Sequence, residues 1–262
     1  MSLTIDLSGR RALVTGVTQG IGAGIARRLA EAGADVAGCG RSPADHPDAR
    51  RFVADIEARG RRAFYLSADV SDAAEPARFV AAAAESLGGI DLLVSNAGRN
   101  VFKGAAACTE GDWSECMELD LASHWRLARA AKPHLDNSPA AVVVLIASNH
   151  AYSTLPGCFP YNVAKAGMLA IVQSLALEWG PKIRAAGIAP GFIDTPGNDT
   201  WFAGFPDPAA KRLAVEKAHP VGRIGTPEEV GALCAFLASD HARFISGTTL
   251  LMDGGHGAGM GW

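Results

Sequence analysis

The sequence has no excess of basic charge: 24 Lys and Arg stand against 27 Asp and Glu, a net charge of -3. Without a basic run, or basic residues interleaved with aromatics, nucleic acid is excluded as a partner. Long apolar runs are lacking too. The stretch from Ala141 to Ala147 is far too short to span a bilayer, and the start, Met1-Ser2-Leu3-Thr4-Ile5-Asp6, has neither the basic nor the apolar region of a signal peptide. The expectation is a cytoplasmic protein that makes no membrane contact. Cysteines are few and scattered: Cys39, Cys108, Cys116, Cys158 and Cys234, an odd number with no CxxC pair. They read as reduced apolar fillers, and the seven histidines form no HExxH or similar cluster, so no catalytic metal is expected.

What is present is a rhythm. Short apolar runs alternate with longer alanine-rich amphipathic ones, beginning Ala12-Leu13-Val14, then Ile21 to Ala32, then Asp35-Val36-Ala37. Further strands are expected at Ala63 to Ser67, Leu92 to Val94, Ala141 to Ala147, Ile183 to Ile188 and Thr248 to Met252. This βαβ pattern predicts an α/β fold: a Rossmann-like, doubly wound, seven-stranded parallel sheet with helices on both faces. Val142 to Ile146 is apolar at every position, as a central strand covered on both faces must be. No linker or repeat divides the 262 residues, which predicts a single domain. From Asp194 to Pro220 the rhythm lapses into a stretch rich in proline, glycine and aromatics, expected to be an irregular lid on the substrate side. Directly after it, Thr226-Pro227-Glu228-Glu229 has the hydroxyl, proline and glutamate of a helix start.

Thr15-Gly16-Val17-Thr18-Gln19-Gly20-Ile21-Gly22 follows the first strand and opens the first helix. That is where a dinucleotide pyrophosphate sits on a helix N-terminus, with glycines letting the backbone approach the phosphates. Tyr161 and Lys165 stand four apart and so share one helix face. Neither Tyr65 nor Tyr152 has a lysine at that spacing. For a phenol with a pKa of about 10, acting as base near neutral pH asks for a lowering worth about 3 to 4 kcal/mol. A cation about 4 Å away supplies on the order of 4 kcal/mol at an effective dielectric near 20. Ser148 ends the central strand, at the sheet edge where ligands of open α/β sheets bind.

TGxxxGxG, YxxxK and the preceding serine together resemble the short-chain dehydrogenase/reductase family, from about Leu7 to Gly255. The resemblance implies an NAD(P)-dependent oxidoreductase that interconverts a secondary alcohol and a ketone, or a sugar hemiacetal and a lactone. Tyr161 would exchange the proton, with Lys165 and Ser148 assisting. It further implies a cofactor site made by Gly16, Thr18, Gln19, Gly20, Ile21 and Gly22, by Asp69-Val70 at the adenine, and by Asn96-Ala97-Gly98 at the ribose. Tyr161 and Lys165 would complete it, together with Pro190, Gly191, Ile193 and Thr195 around the nicotinamide. A homotetramer is implied as well, with the run from Glu110 to Lys132 and the glycine-rich ending from Asp253 to Trp262 compatible with its contacts.

Two positions depart from the family pattern. Its usual V-N-L, whose asparagine holds a water beside the lysine largely through its backbone carbonyl, reads Leu119-Asp120-Leu121 here. A carbonyl survives the change, so activity is expected, with Asp120 in the catalytic set and altering the proton relay. Ala186 replaces the asparagine of N-x-I-x-P-G and removes a strand-end hydrogen bond. For the cofactor, the second strand ends in Gly38-Cys39-Gly40-Arg41-Ser42 with no acid to hydrogen-bond a ribose 2′-hydroxyl. Arg41 and Ser42 suit a 2′-phosphate, so NADP(H) is expected over NAD(H). Arg99, Asn149, His150 and Trp201 are candidate substrate contacts, a polar mixture that predicts a sugar, polyol or small polar alcohol. A 3-oxoacyl thioester on an acyl carrier is the alternative, and a catalytically silent nucleotide-binding sensor a more distant one.

Overall fold

A computed structural model describes residues 4–259; residues 1–3 and 260–262, including the last three of the glycine-rich ending, lie outside the described residues. Strands and helices first alternate: β1 (Arg11–Thr15), α1 (Gly20–Glu31), β2 (Asp35–Gly40), α2 (Pro47–Glu57), β3 (Ala63–Ser67), α3 (Glu75–Leu87) and β4 (Leu92–Ser95). Next, α4 (Glu110–Met117) passes through one π-helical turn, Glu118–Ala122, into α5 (Ser123–Leu135), followed by β5 (Ala141–Ile146), α6 (Tyr161–Trp179) and β6 (Ile183–Pro190). The chain continues with α7 (Pro196–Ala203), α8 (Pro208–Lys217), α9 (Pro227–Ala238) and β7 (Thr249–Met252).

Among the described residues the seven strands form one sheet in the order β3-β2-β1-β4-β5-β6-β7, every neighbouring pair parallel. Successive side chains of β5 leave opposite faces. Val142, Val144 and Ile146 enter a core with Ile25, Leu29, Val230 and Leu237, on the side of α1 and α9. Val143 and Leu145 enter a second core with Phe79, Leu127 and Met168, on the side of α3, α5 and α6. Both faces are dry, which is why the strand has no polar position; each such side chain contributes about 1.5 to 3 kcal/mol on burial. Ala186 is fully buried and paired with Val144 in mid-sheet, where its small side chain joins the first core.

The winding reverses between β1 and β4, and the crevice outside their C-terminal ends is where doubly wound sheets take ligands. The irregular stretch expected at 194–220 is corrected: α7 and α8 occupy most of it. The Thr195 side chain accepts from the Asn198 N–H and the Asp207 side chain from the Ala210 N–H, with Pro196 and Pro208 opening the two helices. Proline is tolerated at the first helical position because its absent N–H would have had no partner there. No helix of the described residues is long and apolar enough to cross a membrane.

Candidate active site

The loop from β1 into α1 has no room for side chains. A Cβ on Gly22 would lie 2.1 Å from the Gly16 carbonyl oxygen and 2.6 Å from Asn96 Nδ2. Gly16 itself has φ +75°, which favours glycine, and its N–H donates to the Cys39 carbonyl at 2.8 Å. Gln19 stands at the N-cap of α1 without capping it, and the first turn holds no acidic residue. The donors of a twelve-residue helix are thus left to an anion. Thr18 is half-buried beside this loop, and Ile21 packs against the first core. These residues fit a dinucleotide.

The flanking segments converge on the same loop. Thr15 Oγ1 accepts from the backbone N–H groups of Asn96 (2.9 Å) and Ala97 (3.0 Å), and Asn96 Nδ2 donates to the Thr15 carbonyl at 2.8 Å. On the β6 side, Pro190 ends the strand, Gly191 donates to the Met252 carbonyl at 2.9 Å, and Ile193 is buried. Thr195 Cγ2 would stand 3.4 Å from a Cβ on Gly20, so α7 begins beside the glycine loop. Past β2, Arg41 is exposed; the Arg41 and Ser42 carbonyls accept from Ser67 Oγ (3.3 Å) and the Tyr65 hydroxyl (2.8 Å). Val70 is buried, and the Ser71 hydroxyl, helped by the charges of Arg41 and Arg99, holds the Asp69 carboxyl below its usual range.

Tyr161 opens α6, with Lys165 one turn on, and both are buried. Ser148 follows β5 and is buried, close enough to the Tyr161 phenol to lower its pKa. Lys165 Nζ lies 5.4 Å from the phenol ring centroid, 3.4 Å from the Ile146 carbonyl that it donates to, and 3.3 Å from Asp120 Oδ1. Burial pushes the phenol above its ordinary pKa; the Lys165 charge pulls it down, Asp120 pushes it up and Ser148 lowers it. Burial likewise raises the Asp120 carboxyl, against the pull of Lys165 and of the Arg99 N–H, which donates to Oδ1 at 3.2 Å. Asp120 sits in the π-helical turn, a distortion that often marks functional positions. It also dictates its neighbour: a Cβ on Gly98 would lie 2.5 Å from Asp120 Oδ1.

The expected substrate contacts are placed less uniformly. Arg99 pairs with Glu115. Asn149 Oδ1 accepts from Ser148 Oγ at 3.3 Å. His150 has its ring 5.9 Å from that of Tyr161, and burial lowers its pKa, leaving it neutral. Trp201 lies on α7 within an aromatic group, 5.6 Å from Phe192 and 4.7 Å from Phe205. Three neighbours escape a reading of motifs. Phe102 stands 5.3 Å from Tyr161, ring to ring. His124 is fully buried, with Nδ1 2.7 Å from Ser95 Oγ, and burial together with the Lys165 charge holds it well below the ordinary imidazole pKa. Cys116 Sγ lies 3.9 Å from Asp120 Oδ2. The spacing Cys116, Asp120, His124, four and four, was a signal for one helical face.

With this geometry in view, the likenesses to known proteins are specific. The family model described as enoyl-(acyl carrier protein) reductase matches residues 16–257. The chain is 38% identical, over 95% of its length and 94% of the relative's, to 3beta-hydroxysteroid dehydrogenase 1 of Eggerthella lenta. It is 34% identical to dehydrogenase/reductase SDR family member 4 of Homo sapiens, covering 95% of this chain and 88% of that protein. The solved structure of Thermoplasma acidophilum aldohexose dehydrogenase superposes with a TM-score of 0.89 at 26% identity, over 99% of this chain and 98% of that one. The chain belongs to the short-chain dehydrogenase/reductase family. It is an oxidoreductase acting on CH–OH donors, in a family that uses NAD(P).

Proposed function

We propose that this enzyme interconverts a secondary alcohol, or a sugar hemiacetal, and the matching ketone or lactone with NADP(H), Tyr161 acting as general acid and base. The observation that carries this reading is the convergence of Ser148, Tyr161 and Lys165 with the glycine loop at one edge of the sheet. When bound, the nicotinamide gives or takes the hydride. In reduction, the Tyr161 O–H donates its proton to the substrate carbonyl oxygen as negative charge builds there, and the Ser148 O–H donates a hydrogen bond to that same oxygen. In oxidation, the Tyr161 phenolate takes the proton of the substrate hydroxyl, its charge stabilised by Lys165. Burial favours the protonated phenol, the form that serves reduction.

The preference for NADP(H) is supported by Arg41 and Ser42 at the end of β2, which present an exposed guanidinium and a hydroxyl where the strand end carries no acidic residue. Exposed Trp125 on α5, Leu177 on α6 and Leu251 on β7 support a homotetramer, and five free thiols suit the cytoplasm. For the substrate, likeness to aldohexose dehydrogenase favours the sugar or polyol, and likeness to a hydroxysteroid dehydrogenase favours a ring alcohol. The aromatic surroundings of Tyr161 favour the second.

The test is a purified-enzyme screen of sugars, polyols, small alcohols and ketones, and β-ketoacyl thioesters, followed by NADPH and NADH absorbance, with Tyr161→Phe in parallel. Turnover by the native enzyme and a loss of about 1,000-fold in the variant, with cofactor binding kept, is the expected result. Cofactor binding without turnover of any alcohol or ketone overturns it in favour of a silent sensor.

A further inference from the structure

We propose that the substrate of this enzyme presents its reacting carbon in, or next to, a neutral apolar ring system that lies against Phe102 and Trp201. This rests on the reaction assigned above to Tyr161. Phe102 is 43% exposed, yet its backbone is held firmly. It bridges Pro160, and the next two residues, Lys103 and Gly104, donate to the Phe159 carbonyl at 2.9 and 3.1 Å. The loop after β4 is thereby tied to the base of α6, and the Phe102 ring stands almost perpendicular to that of Tyr161, at 82°. His150 closes the group, 5.6 Å from Phe102. A large ring kept half in water beside a reacting hydroxyl is an apolar wall for a ligand.

A second half-exposed ring follows β6. Trp201, also 43% exposed, is seated on Phe192 and Phe205. The helix that carries it starts at Thr195, beside Gly20 of the cofactor loop.

Several charges around this edge are paired or stacked. Arg99 pairs with Glu115, Lys103 with Asp112 at 3.0 Å, and Arg212 with Asp194, while Lys211 lies over the Trp201 and Phe205 rings at 5.4 and 4.8 Å. Next to Phe102 the groups that can meet a substrate oxygen are the Tyr161 hydroxyl and the Ser148 hydroxyl, which would turn from Asn149 to do so. His150 Nδ1 is engaged by Thr154 at 2.9 Å and Asn149 by Ser148. A polyol has several hydroxyls that each need a hydrogen-bond partner, whereas a ring ketone has only the one oxygen to place.

The test compares kcat/KM for 1-tetralone, 4-tert-butylcyclohexanone, 2-butanone, glucose and a β-ketoacyl thioester, in the native enzyme and in Phe102→Ala, Phe102→Leu and Trp201→Ala. The cyclic ketones should exceed glucose and the thioester by about 100-fold. Each alanine variant should raise KM for 1-tetralone by about tenfold, with a smaller effect on 2-butanone, and Phe102→Leu should recover most of the loss. A preference for glucose or the thioester, or an equal loss on every substrate, overturns the ring proposal while leaving the reaction intact. If the native enzyme turns over nothing and matches Tyr161→Phe, the reaction itself is wrong and the proposal falls with it.

Discussion

Asp120 Oδ1 lies 3.3 Å from Lys165 Nζ, and the two side chains are sealed from solvent. At that distance the attraction is about 5 kcal/mol at an effective dielectric of about 20, comparable to the several kcal/mol per ion lost on dehydration. The pair therefore adds little net stability, and its consequence falls on the phenol: Lys165 lowers the Tyr161 pKa and Asp120 raises it. Asp120→Asn removes the raising influence. The sign follows: the phenolate needed for oxidation forms more readily, so the acid limb of the kcat/KM profile for alcohol oxidation moves to lower pH. Rates from about pH 6 to about pH 10 in both proteins measure it. Coincident profiles would show that the carboxylate has no hold on Tyr161.

Arg41 sets the second expectation. Charge-assisted hydrogen bonds from a guanidinium to a 2′-phosphate contribute about 1.5 to 3 kcal/mol, so Arg41→Asp should lower kcat/KM with NADP(H) by about 10- to 100-fold. With NAD(H) the value should hold or rise, because the new carboxylate can accept from the ribose hydroxyl. Steady-state kinetics with both cofactors decide this, and a native enzyme that is already better with NAD(H) would refute the preference.

A third expectation concerns space in the glycine loop. Since a Cβ on Gly22 would come within 2.1 Å of the Gly16 carbonyl, Gly22→Ala must push the loop outward, away from the geometry that would receive a pyrophosphate. The Kd for NADPH, read by fluorescence titration, should rise by about tenfold or more, and the increase in Tm on adding cofactor should shrink with it. An unchanged Kd would mean that the phosphates do not rest on this turn.

Most of the scaffold was legible because its signals are local. The uninterrupted apolar run of β5, the glycine loop at the start of α1 and the four-residue spacing of Tyr161 and Lys165 each declare a strand, a turn or a helical face without reference to the rest of the chain. The cap and proline that announced α9 at Thr226-Pro227 recur at Thr195-Pro196 and Asp207-Pro208, so the two helices of 194–220 were legible as well; the density of prolines and glycines obscured them. What local patterns could not disclose depends on contacts across the chain. Glu115 neutralises Arg99 from another element, Phe102 reaches Tyr161 only because its loop is pinned to Pro160, and Asp120 meets Lys165 across 45 positions of sequence. Residue type alone pointed to a polar pocket; the ring pocket proposed above draws on contacts that only the fold brings together.

His124 makes the last expectation. It is fully buried against Ser95, and burial, reinforced by the nearby Lys165 charge, holds it well below the ordinary imidazole value of 6.5. Well above pH 6.5 it carries no proton in either the folded or the unfolded chain, and stability is independent of its titration. Below that value the unfolded chain binds a proton that the folded core refuses, so stability falls as pH falls, by up to about 1.4 kcal/mol for each pH unit. Replacing the ring by a non-titrating amide, His124→Asn, should remove that part of the slope, while His150, also lowered by burial, retains its own smaller share. The quantity to compare is the drop in Tm between about pH 7 and about pH 5, smaller in the variant than in the native protein whatever its Tm at neutral pH. Equal drops would mean that the His124 imidazole is protonated in the folded core, and the buried face formed by Cys116, Asp120 and His124 would then carry a second positive charge beside Lys165.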